Sequence, residues 1–313
     1  MVGGSIRYTP NPAFTNGFDV FTYTITDGAG STATASVTVR FGLSGGGDWT
    51  TFGGAQEHTG YTQAVLGSQP LVKAWETTKT TGAMQPTVVA GRVYVTVTGP
   101  QPEWASTWNT LALDAPSGAE IWRRGWPNAS SVNQPTHHNG RLYLQRGNHG
   151  SDTQLWALNA LDGSAVWSAP FGAQWESYEA PAVNNAGIWI NGGSYGGLYG
   201  FSHAGAQLFF NSSLAQYDRW TPTLGADGTV YSYVAGLLKA HSPTTGAVNW
   251  SLDLGWSWSG WSMYTVTVRS GNTLVAAGTA GLHAVNLTTR AKLWTAPGAF
   301  VGSPAIAAGV VYA

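Results

Sequence analysis

The sequence predicts an all-β protein dominated by a β-propeller of four-stranded blades, and three observations support this prediction. A bulky aromatic residue recurs at intervals of 40 to 47 residues, at Trp75, Trp122, Trp167, Phe210, Trp250 and Trp294. Prolines run in step with these aromatics, at Pro86, Pro135, Pro181, Pro222 and Pro304. No segment repeats its apolar residues with the 3.6-residue period of a helix. A sustained period of this length indicates a repeat architecture.

Each unit contains four short apolar segments separated by turn residues. In the first unit the segments begin at Thr87, Arg92, Leu111 and Glu120. Segments of this length, rich in Val, Tyr, Trp and Leu and bounded by Gly, Asn, Asp and Pro, are strands joined by hairpins. Four such strands, repeated radially, form a propeller blade. Proline is acceptable at the head of the innermost strand, because a first residue can lack a ladder donor.

These units resemble the quinoprotein-type (PQQ-like) β-propeller repeat, in which Pro-x-Val, Gly-x-Val-Tyr-Val, Leu-x-Ala-Leu-Asp, x-x-Gly and Trp follow one another. The segment from Asp48 to Gly60 resembles the lead-in of that family, and the resemblance covers residues 48–313. It implies six to eight blades, with a strand at 71–77 that completes the last blade and hides its edges. Six units are visible and the chain ends within the sixth. We therefore expect a propeller that is C-terminally incomplete and a chain that is part of a longer protein.

Residues 1–41 predict three strands with clear alternation, at 4–10, 19–30 and 33–40. They resemble the C-terminal half of a bacterial Ig-like or cadherin-like tandem domain, since a complete sandwich needs about 100 residues. Asp19 and Asp27 are candidate Ca²⁺ contacts in such a domain. Residues 42–47 are rich in glycine and predict a flexible linker to the propeller.

Composition excludes several classes of function. Charged residues make up 9% of the chain and the net charge is −1, so nucleic acid is not an expected partner and neither is an anionic membrane surface. No apolar run is long enough for a transmembrane helix. The chain has no cysteine, which excludes thiol catalysis and Cys-ligated metals. True quinoprotein dehydrogenases are longer and cover their cofactor with a vicinal disulfide, so neither PQQ nor dehydrogenase activity is expected. The expected location is the outside or cell surface of a bacterium, with the periplasm as the alternative.

The candidate ligand site lies on one face of the propeller. Loops between blades, and hairpins between the second and third strands of a blade, share the loop-rich face, whereas the remaining hairpins share the short-turn face. The loop-rich face carries the candidate ligand-binding residues Trp104, Trp108, Trp126, Arg146, Trp175, Tyr178, Tyr217, Trp220, Trp256, Trp258 and Trp261. Flat aromatic rings beside polar groups suit sugars, so a polysaccharide or glycoconjugate is the favoured ligand. The alternative is that these aromatics fold over and plug the central channel.

Two further functions remain open. A glycoside hydrolase needs two carboxylates across the scissile bond, and a polysaccharide lyase needs a base beside a cation. The candidate catalytic residues of these types are His149, Glu176, Glu179, Asp218 and Arg219. A protein-interaction scaffold would use the same aromatic loops as a binding hot spot. His137 and His138 replace two valines of the preceding unit, and one of the pair is expected to point into the channel or the top of the core. No third ligand lies at a metal spacing, so no metal site is predicted.

Overall fold

The computed structural model describes residues 17–41, 47–62, 73–77, 82–99, 108–147, 153–174, 177–257, 260, 262–263 and 266–313. Residues 17–41 belong to one compact unit, whereas 48–61 and the described residues from 73 onward belong to a second. All regular structure in these ranges is β-strand. A search of the described residues finds no helix suited to crossing a membrane.

The first unit contains an antiparallel hairpin of β1 (Gly17–Thr26) and β2 (Thr32–Phe41). Its turn is held by Asp27, whose Oδ1 accepts hydrogen bonds from the backbone N–H groups of Ala29 at 2.9 Å and Ser31 at 2.8 Å. These bonds hold the pKa of Asp27 below its usual value. The Ca²⁺ contact expected at Asp27 stays a prediction, and the carboxylate has a turn-forming role in any case.

The second unit begins with two blades whose innermost strand is split in two. The first consists of β3 (Gly82–Ala83), β4 (Thr87–Val89), β5 (Arg92–Thr98), β6 (Trp108–Asp114) and β7 (Glu120–Trp126). The second consists of β8 (Ser131–Val132), β9 (Thr136–His138), β10 (Arg141–Gly147), β11 (Gln154–Asn159) and β12 (Ala165–Pro170). Pro86 and Pro135 lie at the two breaks, because proline cannot donate to the ladder there.

Three four-stranded blades and a hairpin follow in the described ranges. The third blade consists of β13 (Ala182–Asn184), β14 (Gly187–Asn191), β15 (Leu198–Phe201) and β16 (Gln207–Asn211). The fourth consists of β17 (Thr223–Leu224), β18 (Val230–Val234), β19 (Leu237–His241) and β20 (Val248–Asp253). The fifth consists of β21 (Val268–Ser270), β22 (Thr273–Gly278), β23 (Gly281–Asn286) and β24 (Ala291–Ala296), before the hairpin of β25 (Ala305–Ala307) and β26 (Val310–Tyr312). The predicted all-β propeller of four-stranded blades is confirmed.

A β-bulge recurs in the fourth strand of all five blades. In the first blade Ala112 pairs with Trp122 and Leu113 with Glu120, so that Ile121 is the extra residue. The same shift places an aromatic opposite Ala or Gly in the other blades, at Trp167, Phe209, Trp250 and Trp294. The assignment of Phe210 to this position was therefore wrong by one residue. Phe209 pairs with Gly200, and Phe210 points to the other side of the strand, because successive side chains alternate.

Each of these aromatics up to Phe209 packs on a glycine in the third hairpin of the next blade. The indole nitrogen of Trp122 donates to Ala160 O at 3.1 Å, and a Cβ on Gly163 would lie 2.7 Å from its ring. The same close approach is found for the pairs Trp75–Gly118, Trp167–Gly205 and Phe209–Gly246. The glycine is needed because only a residue without a side chain lets the ring lie flat on the turn. The closing aromatics thus join each blade to the next.

The contacts of Trp75 test the prediction that residues 71–77 form a closing strand. Its indole nitrogen donates to Ala115 O at 2.7 Å, which is the contact that a fourth strand makes with the following blade. Residues 73–77 nevertheless form no strand, and within the described residues they do not pair with β25 or β26. β26 is the second strand of its unit, whereas a closing strand pairs with a third strand. The closure predicted for 71–77 is therefore observed only as the docking of Trp75.

Gly163→Ala should destabilise the protein more than Gly140→Ala does. Both glycines have a positive φ, 72° and 73°, but nothing lies within 4 Å of a Cβ built on Gly140. The strain of the backbone is common to both variants and amounts to about 1 kcal/mol. The clash with Trp122 adds about 1 to 3 kcal/mol in Gly163→Ala only. Urea unfolding of the two variants measures the difference, and equal losses would show that the indole does not rest on the turn.

The segment 48–60, which we call the ring segment, contacts the innermost strand of each unit in turn. Its backbone or side chains hydrogen-bond to Val88, His137, Val183, Leu224, Arg269 and Ile306 at 2.7 to 3.1 Å. Each of these residues lies just before the first hairpin of its unit, so the ring segment follows the channel near the short-turn face. A single stretch of chain therefore ties six repeat units together.

His58 fixes the path of the ring segment. It is 1% exposed and has a φ of 54°, a left-handed conformation that is uncommon outside glycine. Its ring nitrogens lie 2.6 Å from Phe52 O and 3.1 Å from Pro222 O. Burial lowers the pKa of His58 despite these two carbonyls. The imidazole thus joins the ring segment to the fourth blade from within the core.

Candidate functional site

A hollow of about 320 Å³ lies on the loop-rich face beside the fourth blade. Its walls come from the loop that follows β16, the hairpin between β18 and β19, and the loop that follows β20. Trp256 forms one wall with an indole that is 68% exposed. The remaining wall residues are mostly apolar and are Ser213, Leu214, Ala215, Val234, Ala235, Leu237, Lys239 and Asp253. We call this hollow the Trp256 pocket.

The hairpin between β18 and β19 positions Trp256. Ala235 and Gly236 have positive φ angles of 54° and 90°, as a two-residue hairpin turn requires. A Cβ on Gly236 would lie 2.0 Å from Gly255 O, so this turn must be glycine for the next loop to approach. Leu254 N donates to Gly236 O at 2.9 Å and locks the loop in place. Trp256 is the next residue after Gly255, and this contact therefore positions its side chain at the pocket.

The charged groups of the Trp256 pocket already have protein partners. Lys239 Nζ donates to Ser213 O at 2.5 Å, and partial burial lowers the pKa of this lysine. Asp253 Oδ1 accepts a hydrogen bond from Gly255 N at 2.8 Å. The pocket therefore offers a guest mainly apolar surface and an indole face. Sequence reasoning selected Trp256 but missed Leu237, Lys239 and Asp253, because nothing in their spacing distinguishes them from ordinary strand residues.

Four of the predicted ligand-binding aromatics are buried. They are Trp126, Tyr178, Tyr217 and Trp220, and each is at most 5% exposed. Trp126 Nε1 donates to Thr110 Oγ1 at 2.9 Å, and the Arg124 guanidinium lies 4.7 Å from its ring. Trp220 Nε1 donates to Tyr217 O at 2.9 Å. Their rings pack in the interior and leave no exposed face for a ligand, so we omit them from the surface proposed below.

The other predicted residues fall into two groups. Trp108 is half-buried and donates from Nε1 to Ser130 O at 3.2 Å, and Arg146 donates to Pro127 O at 3.1 Å. Six further residues lie outside the described residues, namely Trp104, His149, Trp175, Glu176, Trp258 and Trp261. The roles assigned to both groups stay predictions.

Glu179 is the candidate catalytic carboxyl with the most defined surroundings. Gln134 Nε2 donates to its Oε2, and Asn133 Nδ2 donates to its backbone oxygen at 2.5 Å. Burial raises the pKa of Glu179, although Gln134 and the charge of Arg219 act in the opposite direction. Arg219 has a φ of 54° and donates from its backbone N to Ser177 O. A carboxyl of this kind suits a general acid.

Asp218, the remaining candidate, is positioned by its backbone. Asp218 O accepts a hydrogen bond from Met263 N at 2.8 Å, and the residue pairs with Ser262. No distance between two candidate carboxylates is defined within the described residues. The hydrolase and lyase mechanisms therefore stay predictions.

His137 and His138 contact the blades on either side of their own, the first and the third. His137 stacks on Tyr94 with ring centroids 6.0 Å apart, and His138 stacks on His203 at 5.4 Å. His138 Nε2 also lies 3.1 Å from Asn185 Oδ1. Across the described ranges there is no group of three or more residues suited to metal ligation.

Lowering the pH from 7.5 to 5 should destabilise the protein. Burial lowers the pKa of His58, His241 and His283 below their ordinary value of 6.5. Near pH 6.5 these histidines therefore bind protons in the unfolded chain but not in the native state. The free energy of unfolding falls as the pH falls through 6.5. Urea unfolding at several pH values measures this loss. Glu179 acts in the opposite sense because its pKa is raised, so Glu179→Gln should show a steeper loss. Stability that rises towards pH 5 in that variant would contradict the prediction.

Comparison with protein families confirms both expected resemblances. A family model described as outer membrane protein assembly factor BamB matches residues 56–216 and 234–313. A model described as bacterial Ig domain matches residues 1–40. No curated protein sequence matches the chain significantly.

Solved structures share the propeller fold at low identity. The quinohemoprotein alcohol dehydrogenase ADHIIG from Pseudomonas putida HK5 has a TM-score of 0.58 and 16% identity, over 80% of this chain and 48% of its own. The quinohemoprotein alcohol dehydrogenase from Comamonas testosteroni has a TM-score of 0.58 and 17% identity, over 80% and 49%. BamB from Moraxella catarrhalis has a TM-score of 0.51 and 17% identity, over 72% and 74%. The chain thus spans about half the length of the two dehydrogenases, and identities this low show the fold alone.

Proposed function

This chain belongs to the family described as outer membrane protein assembly factor BamB, and we propose on that basis that it is a protein-binding scaffold. It holds its partner on the loop-rich face of the propeller. A bacterial Ig domain ahead of the propeller fits a protein of the bacterial periplasm or cell surface. Rigid propellers present loops for recognition without needing to move.

The observation that supports this function is the Trp256 pocket. An indole that is 68% exposed stands over a hollow of about 320 Å³ with apolar walls. Leu214, Val234 and Ala235 are among its apolar lining residues, and the charged groups that line it each make a hydrogen bond within the protein. Such a hollow suits a bulky apolar side chain from a protein, because tryptophan beside a desolvated pocket is typical of binding hot spots.

A glycan remains the second candidate ligand. The exposed face of Trp256 is able to stack on a sugar ring, as the sequence suggested. Sugar hydroxyls also need polar partners with spare hydrogen-bonding capacity. The polar side chains that line this hollow are only Ser213, Lys239 and Asp253, and the other lining residues are apolar, so we rank the glycan after the protein.

We do not assign a reaction. The absence of PQQ stays an expectation from the sequence, which has no cysteine for the vicinal disulfide that covers this cofactor in quinoprotein dehydrogenases. The scaffold role is proposed without a catalytic step.

A parallel screen tests the proposal. A random peptide library is selected on the immobilised protein and counter-selected on Trp256→Ala, and a glycan array is probed with both proteins. We expect enriched peptides that carry a bulky apolar side chain and bind only when Trp256 is present. Glycan binding that depends on Trp256, without enriched peptides, would replace the protein partner by a sugar. Absence of any ligand that depends on Trp256 would refute both.

A further inference from the structure

A second hollow, of about 590 Å³, lies between the fourth and fifth blades on the short-turn face. Its walls are the first hairpin of the fourth blade, the first and third hairpins of the fifth blade, and the fourth strand β20. The residues used below are Asp227, Tyr231, Asn249, Trp250, Arg269 and Arg290. This hollow is distinct from the Trp256 pocket, and no residue lines both. We call it the Arg290 pocket.

The Arg290 pocket exists because the third hairpin of the fifth blade lacks the glycine on which a closing aromatic packs in the other blades. Trp250 occupies the position of Trp122 and Trp167 and should rest on the third hairpin of the fifth blade. In that hairpin Arg290 occupies the position of Gly163, since it follows Asn286 by four residues as Gly163 follows Asn159. It has a φ of 57°, so it keeps the backbone conformation of the glycine while carrying a long cationic side chain. A side chain at this place prevents the indole from lying flat on the turn.

The polar contact that closes the other junctions is also absent from the described residues here. Trp75, Trp122 and Trp167 donate their indole N–H to a backbone oxygen of the next blade, and at the junction closed by Phe209 the donor is Trp189, all at 2.7 to 3.1 Å. The equivalent oxygen for Trp250 would be that of Leu287, and no such bond is found. The junction is therefore open where the preceding ones are sealed.

The bulge residue of the fourth blade departs from the repeat in the same place. The extra residue of the bulge is an exposed aliphatic in the other four blades, namely Ile121, Val166, Leu208 and Leu293. In the fourth blade it is Asn249, which lines the hollow. Independent changes at Asn249 and Arg290 thus converge on one site. This convergence indicates a built site more than a packing defect.

The Arg290 pocket offers an anion one cation, the exposed guanidinium of Arg290. Two guanidinium groups and one carboxylate line it. Arg269 is held by Glu57 Oε1 at 2.8 Å and by Leu224 O at 2.8 Å, and Asp227 accepts hydrogen bonds from Thr229. Arg290 is exposed and, within the described residues, makes no hydrogen bond or ion pair. It is the cation that remains for a ligand.

The aromatic rings of Trp250 and Tyr231 indicate which non-ionic group the pocket would bind. Trp250 is half-buried and lies 6.0 Å from Tyr231, with the two ring planes inclined by 53°. An aromatic face beside amide groups suits a pyranose ring, whose C–H face stacks while its hydroxyls reach Asn249. A volume of this size falls in the range of small-ligand sites.

We propose that the Arg290 pocket binds an acidic saccharide, with a uronate ring stacked on Trp250 and its carboxylate on the Arg290 guanidinium. The arginine supplies a charge-assisted and bidentate contact that a neutral sugar cannot use. The site lies on the opposite face from the Trp256 pocket, so both ligands bind independently. The assignment does not depend on the proposed protein partner.

Calorimetric titration with a galacturonate trisaccharide tests this assignment, with the corresponding neutral galactose trisaccharide as the matched ligand. We expect saturable binding of the acidic sugar at millimolar concentration or below, and at least tenfold weaker binding of the neutral sugar. Arg290→Gly should weaken the acidic sugar at least tenfold, as expected for loss of a charge-assisted bond. It should not lower the melting temperature, because glycine adopts a φ of 57° without strain.

The controls separate a specific site from general charge attraction. Arg123→Ala removes one guanidinium from strand β7, where it pairs with Glu120 at 2.7 Å, and should leave binding unchanged. Trp250→Phe should weaken the acidic and neutral sugars alike, since stacking does not depend on charge. No saturable binding to the wild type, equal binding by Arg290→Gly, or equal losses in Arg123→Ala and Arg290→Gly would each overturn the proposal.

Discussion

Replacing His58 with alanine is expected to lower the free energy of unfolding by roughly 3 kcal/mol. The imidazole is buried and lies between Phe52 O and Pro222 O. Alanine would remove the one N–H that the neutral imidazole donates to a buried carbonyl, and it would leave a void where the ring was. The ring segment contacts six repeat units, so its loosening is transmitted to all of them.

His58→Asn is the matched control for this prediction. Asparagine tolerates the left-handed conformation at a φ of 54° and keeps one side-chain donor. We expect it to lose less than half as much stability as His58→Ala in urea unfolding. If both variants unfold at the wild-type urea concentration, the ring segment does not hold the units together.

Replacing Trp256 with alanine is expected to weaken partner binding by tenfold to several hundredfold, as truncation of a tryptophan hot spot does. The fold should be unchanged, because an indole that is 68% exposed contributes little to the core. Affinity for a peptide selected on the wild type, measured by fluorescence anisotropy, gives the effect. A melting temperature from the same preparation verifies folding.

Trp294→Ala is the matched control for Trp256→Ala. Trp294 is another partly exposed tryptophan, on the fourth strand of the fifth blade, and it does not line the Trp256 pocket. Its removal should leave affinity within about twofold of the wild type, a difference of about 0.4 kcal/mol. Equal losses in the two variants would place the binding surface elsewhere.

The repeat period was sufficient to predict the propeller, because its cause is local. Most units carry an aromatic, a glycine and a proline at fixed positions, and these residues are visible in the sequence. The period does not reveal the exact register. Phe209 and Phe210 are both bulky, so the sequence does not show which of them is the closing aromatic. The pairing of Phe209 with Gly200 shows that Phe209 contacts the next blade.

The candidate site was less predictable, since residue type does not determine burial. Trp126 and Trp256 look alike in the sequence as loop-rich-face tryptophans, yet one is 3% exposed and the other 68%. The position of Trp256 depends on the close contact of Gly236 with Gly255, a tertiary contact that the sequence does not reveal. Arg290 could have been noticed, because an arginine in a position that holds glycine in most other units is a visible departure from the repeat.

Hydrogen–deuterium exchange with and without the selected peptide tests the central claim, that the partner sits on the loop-rich face of the propeller. We predict slower exchange in the three walls of the Trp256 pocket, at 213–215, 234–239 and 253–257. The short turns at 225–229 and 286–290 should exchange as they do in the free protein. Protection confined to those short turns, or no protection at the Trp256 pocket, would contradict the account.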